Sequence, residues 1–145
     1  MAIQISDIQS TAWQLSLRAP GEVTQGLNDV RQCVQLILTT TQGSDPLRPL
    51  FGSKLYQYID DPVVSAAPLI CAEILDCIGK WEPRITIKKL IYDIIGYRIE
   101  FYMFAELVDS NEATELAFYI DRQDNLEIIP SIGRAFSNGF DFGFS

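Results

Sequence analysis

Glu82, Pro83 and Arg84 follow Trp81 directly. They set an acid and a base on either side of a residue that fixes its own backbone. The proline ends one apolar pattern, and the alternation Ile85-Thr86-Ile87-Lys88 opens the next. An ion pair held on a helix-to-strand corner beside a large aromatic anchor is suited to specific docking. The same residues also fit an exposed helix stop with a weak surface pair. Spacing alone leaves both readings open.

Carboxylate catalysis is the other chemistry to weigh. Glycoside hydrolysis needs two acids held roughly 5–10 Å apart, one of them kept protonated. The candidates Asp45, Asp60, Asp61, Glu73, Asp76 and Glu82 are scattered. Asp60-Asp61-Pro62 reads as a turn and helix entry, and Glu73 and Asp76 fall on the polar face of a helix. The chain has no histidine. That removes the commonest general base, the Ser-His and Cys-His pairs, and most zinc sites. Gly43-Ser44 and Gly52-Ser53 do not match a phosphate loop, and no metal-ligand spacing occurs, so no cofactor or metal is expected. Tyr97, Phe101, Tyr102 and Phe104 lack the basic interleaving of a base-stacking platform beyond Arg98, and read as sheet residues.

A chain of 145 residues, 48% hydrophobic and 21% charged, suits one domain with a real core. Its net charge of -8 disfavours nucleic acid and anionic membrane as partners. Its apolar runs are short, against the roughly 20 residues that span a bilayer. Met1 to Asp7 carry no signal-peptide pattern, so synthesis in the cytoplasm is the expectation. Cys33, Cys71 and Cys77 form no CxxC pair and read as small core residues.

The elements that would position these residues follow from periodicity. Residues 1–27 read as an extended N-terminal arm, with a short strand at Trp13–Leu17 and a break at Pro20-Gly21. A first helix is expected from Asn28, as N-cap, to Thr40, with Val30, Cys33, Val34, Ile37 and Leu38 on one stripe. Pro46 and Pro49 stiffen the loop that follows and present Leu47 and Arg48. A short helical stretch is expected over 53–59. A second helix is expected from Pro62 or Val63 to Lys80, kinked or newly started at Pro68. Strands over 84–92, 95–107 and 113–121 follow, joined near Asp93-Ile94 and Asp109-Asn111. The class is α+β: two main helices packed on a three-stranded antiparallel meander. Residues 28–130 form the expected domain, and 131–145 a Phe-rich C-terminal tail.

The ordered set Gln32-Cys33, Leu38-Thr39-Thr40, Gly43-Ser44-Asp45-Pro46-Leu47-Arg48-Pro49, Phe51-Gly52-Ser53, Tyr58-Ile59-Asp60 and Trp81-Glu82-Pro83-Arg84-Ile85 resembles the phage baseplate protein W family. This is the sheath-initiator family of contractile tails, with a relative in the baseplate of type VI secretion systems. The resemblance covers about residues 14–92, and the later strands fit by pattern only. It implies a structural protein of the virion tail baseplate, assembled in the host cytoplasm. The implied partners are baseplate wedge proteins, the tail sheath protein and tail tube or hub proteins. The implied mechanism is strand addition to the edge of the terminal sheet. The Glu82, Pro83, Arg84 unit carries over as a docking site. Trp81, Arg48, Pro49, Phe51 and Gly52 join it as expected interaction residues, and Arg84→Ala is expected to block assembly while the domain stays folded. Alternatives are a type VI or phage-tail-like particle component and a carboxylate-dependent cell-wall hydrolase. Members carry an old lysozyme-like label, to which the scattered acids give no support.

Overall fold

A computed structural model describes Ser6 and residues 8–96, 98–111, 113–121 and 126–127. The chain is α+β. Strands β1 (Trp13–Leu15) and β2 (Val23–Gln25) form an antiparallel hairpin. Helices α1 (Leu27–Thr39) and α2 (Val63–Trp81) follow, with a single 3-10 turn at Leu55–Tyr58 between them. Strands β3 (Ile85–Ile95), β4 (Arg98–Leu107), β5 (Ala113–Asp121) and the two-residue β6 (Leu126–Glu127) make an antiparallel sheet in chain order.

From Ile8 on, the residues before α1 are tied to the helix. Gln14 and Gln32 fasten them there. The Gln14 amide donates to the Asp29 carbonyl at 3.1 Å, and the Gln32 amide to the Leu15 carbonyl at 2.7 Å. The Leu17 N–H returns a bond to the Gln32 side-chain oxygen at 2.9 Å.

Helix α1 begins before the expected position. Gly26 is the N-cap, at φ 60° and ψ -127°, a conformation that glycine reaches without strain. Asn28 therefore lies inside the first turn, where its side chain accepts from Arg31 rather than capping. Val30, Val34, Ile37 and Leu38 are buried as the stripe requires. Helix α2 runs through Pro68 as one element. Its buried face is Ala66, Ala67, Ile70, Ile74, Cys77 and Ile78.

The β3–β4 connection falls later than expected. Asp93 and Ile94 stay paired in the ladder, and the reversal comes after Ile95, at Gly96 with φ 63°. Glycine tolerates that φ, whereas Asp93-Ile94 carries no such permission. The ladder is broken once, by a bulge between Ile87 and Lys89. On β4, Ile99, Phe101, Met103 and Ala105 face the core, and Leu116, Phe118 and Ile120 join them from β5. Phe101 and Phe118 stack with centroids 5.4 Å apart. Each such fully buried side chain contributes roughly 1.5–3 kcal/mol against exposure. The fourth strand, β6, was not legible in the pattern. The Phe-rich segment 131–145 lies outside the described residues, and none of the helices among them is long and apolar enough to cross a membrane.

Candidate functional site

Helix α2 ends where the Glu82 N–H donates to the Ile78 carbonyl at 2.8 Å. Pro83 cannot continue the helix, and Arg84 enters β3. This short path folds Arg84 back onto Glu82. The Arg84 Nε and Nη2 donate to the two oxygens of Glu82, each at 2.7 Å, and the Arg84 N–H adds a bond to Oε1 at 3.3 Å. The fork matches the planar carboxylate in the bidentate arrangement that makes such pairs strong.

The guanidinium has a second acid. Its Nη1 donates to Asp29 Oδ2 at 2.5 Å, from the first turn of α1. Nη2 also approaches Cys33 Sγ at 3.1 Å, and the Gln14 amide reaches the same sulfur at 3.4 Å. Asp29 and Glu82 are each 3% exposed, while the Arg84 side chain keeps 32% of its surface. The Glu82–Arg84 pair is thus made within the chain, and Arg84 ties the first helix to the α2–β3 corner. Its two acids raise its affinity for a proton, the hydrogen bonds it donates to Glu82 first. Burial pushes the Cys33 thiol up, and neighbouring Asp29 adds to this. Burial also pushes the Cys77 thiol up, to about 12. None of these is the electropositive environment of a reactive thiol.

Arg84 borders a cleft of about 610 Å³. The loop after α1 forms its other wall. Phe51 packs edge-on against Trp81 with centroids 5.2 Å apart, and the Arg48 guanidinium lies 4.3 Å over the Phe51 ring. Arg48 also pairs with Asp45 at 3.1 Å. Asp45 turns the loop: its carboxylate accepts from the Leu47 N–H at 2.9 Å. That bond, ahead of the one from Arg48, holds its carboxyl below the usual range.

Trp81, Glu82, Pro83, Arg84, Arg48 and Phe51 therefore line one cleft. Pro49 and Gly52 do not line it. Pro49 is exposed on the loop. Gly52 is buried behind the cleft, with φ 105°, where a Cβ would meet the Thr40 carbonyl oxygen at 2.2 Å. It lets the loop close on the end of α1, where Ser53 Oγ donates to the Leu38 carbonyl at 2.8 Å. Sequence reasoning missed Gln14, Asp29 and Cys33 as site residues. Asp29 and Cys33 stand one helical turn apart, which puts an acid on the face of a half-buried thiol, but the acid also fits a helix-dipole role.

Glu82 is not placed for acid–base chemistry. Glu82 commits both oxygens to Arg84 and is closed to solvent. Among the described residues no group of three or more His, Cys, Asp or Glu could hold a metal.

Comparison with known proteins agrees with the sequence resemblance. The profile of a family described as "Baseplate wedge protein gp25" matches residues 24–100. The fold is similar to a chain in the post-contraction baseplate of pyocin R2. That chain is 31% identical, with a TM-score of 0.57, over 66% of this chain and 97% of that one. It is also similar to a candidate tail lysozyme from Geobacter sulfurreducens, at 21% identity and a TM-score of 0.59, over 64% and 87% of the two chains. A chain of the anti-feeding prophage baseplate is 19% identical, with a TM-score of 0.56, over 71% and 86%. The last two likenesses speak for the fold alone. No curated protein matches the sequence. The matched span runs from β2 through both helices and the Glu82–Arg84 corner into β4, and on that match the chain belongs to the baseplate wedge protein gp25 family.

Proposed function

We propose that this protein is a structural subunit of a contractile-tail baseplate. It docks on wedge components through the Arg48–Phe51–Trp81–Arg84 cleft and starts sheath assembly by accepting strands at its sheet. It carries out no catalysis. The observation that supports this best is the family match spanning the cleft and the first strands of the sheet. The cleft suits the role. It joins an aromatic pair to an exposed arginine, the residue types that anchor interfaces. The likeness to the pyocin R2 baseplate chain favours a second setting for the same role, a phage-tail-like particle.

Arg48 is the cleaner probe of docking, because Arg84 also neutralises two buried acids. Its side chain is 59% exposed, so Arg48→Glu is expected to leave the fold intact, which circular dichroism checks. Incorporation of this variant into baseplates is expected to fall by about tenfold or more. Tails produced at normal yield would sink the docking reading. Peptidoglycan turnover by the purified chain that Glu82→Gln abolishes would sink the structural one.

A further inference from the structure

We infer that the strand-accepting edge is the distal half of β3, Leu90 to Ile95, and that its occupant is an extended segment of a partner protein. This segment carries apolar residues at alternate positions and a lysine or arginine beside Asp93. The inference rests on the strand-addition reading above and says where the addition occurs.

Strand β3 ends the sheet, and among the described residues no strand pairs with its outer side. The direction of its backbone groups follows from the hairpin. Ile95 and Arg98 close a two-residue connection, and such a closing pair exchanges both hydrogen bonds. Bonded and non-bonded pairs then alternate, so Asp93 and Ile91 bond β4 while Ile94, Tyr92 and Leu90 turn their N–H and C=O outward. An independent contact agrees. The Ile94 N–H is taken by its neighbour's side chain, Asp93 Oδ1, at 2.9 Å.

The two halves of this edge differ. The proximal half carries the bulge between Ile87 and Lys89 and two adjacent lysines, both devices that discourage pairing. Lys88 is further engaged by Glu106 at 2.8 Å. The distal half is regular in register and keeps large apolar side chains in solvent: Tyr92 is 39% exposed, Ile94 38% and Ile95 54%. The partners of Tyr92 and Ile94 on β4, Phe101 and Ile99, are buried, so the apolar layer is left open at β3, while Ile95 pairs with Arg98 on the other face. On the opposite face Asp93 stands directly across from Glu100. Like charges facing each other across a ladder are unfavourable. A cation delivered by an added strand relieves that pair. The same Asp93 covers an outward donor in the free chain, and an incoming strand must displace it. Edge β5 is the rival, and β6 already pairs with it at Tyr119 and Ile120.

The test uses the full chain in tail-producing cells. Tyr92→Pro removes one outward N–H and spares the β4 ladder. It is expected to give baseplates that contain the chain but at least tenfold fewer sheathed tails, with a folded chain by circular dichroism. Asp93→Lys, which pairs with Glu100 and so spares the fold, is expected to lower the same yield. Ala117→Pro alters the corresponding outward position on β5 and is expected to have no effect. If Ala117→Pro blocks the sheath and Tyr92→Pro does not, the edge assignment is overturned while strand addition stands. If neither blocks it, strand addition itself fails. A wild-type dimer in sedimentation that Tyr92→Pro dissolves would make this edge a self-pairing surface and overturn the proposal.

Discussion

Arg84 and Asp29 are 55 residues apart in sequence, yet their side chains meet at 2.5 Å. With Glu82 they form a triad in which one cation serves two buried acids. Removing the cation is therefore far worse than losing one surface pair. Arg84→Ala is expected to destabilise the isolated chain by about 3–5 kcal/mol, the usual cost of leaving a buried charge unpaired. Urea unfolding monitored by the tryptophans measures this. A loss below about 1 kcal/mol would mean that water already reaches both acids.

Gly52→Ala should be costly. The position has φ 105°, and the added carbon would fall 2.2 Å from the Thr40 carbonyl oxygen. The expected loss is at least about 2 kcal/mol, from strained backbone and displaced contacts together. Thermal unfolding of the variant checks it. The same change at Gly43, whose added carbon meets nothing within 4 Å, isolates the part due to φ alone.

The loop wall of the cleft should loosen in acid. The Asp45 carboxyl titrates below its ordinary 3.8 because Leu47 and Arg48 donate to it. A folded-state pKa below the unfolded one means that the stabilisation is present above about pH 3.8 and is lost as pH falls through the lower folded value. The amide resonance of Leu47 should report that transition, and Asp45→Asn should remove it. An unchanged Leu47 shift down to pH 2 would contradict the hydrogen bond.

Much of this arrangement was legible in the chain itself. The stripe from Val30 to Leu38 and the alternation from Ile99 to Ala105 are simple periodicities, and both bury the faces that they predict, except that Cys33 is only half-buried. The Trp81–Arg84 corner was legible because proline admits few conformations. What escaped notice depended on long-range contacts. Asp29 fits a helix N-terminus equally well whether or not an arginine waits across the fold. Gln14 and Gln32 are ordinary polar residues until a hairpin is laid against α1. Strand β6 is only two residues long, too short for any pattern. The boundary of β3 is hidden for a local reason, since Asp93 resembles a turn residue and is instead a strand residue whose carboxylate accepts from the next backbone N–H.

The span between Asp29 and Arg84 has a consequence for the order of events during folding. Contacts of such separation form late, since the loop between them must first be closed. The cleft lies between α1 and the α2–β3 corner, and it acquires its charged wall only when that loop closes. A half-folded chain can expose apolar helix surface but cannot offer a finished binding surface. The triad thus acts as a completion mark for the cleft, and on the docking role proposed above it would make entry into a larger assembly conditional on the fold being finished.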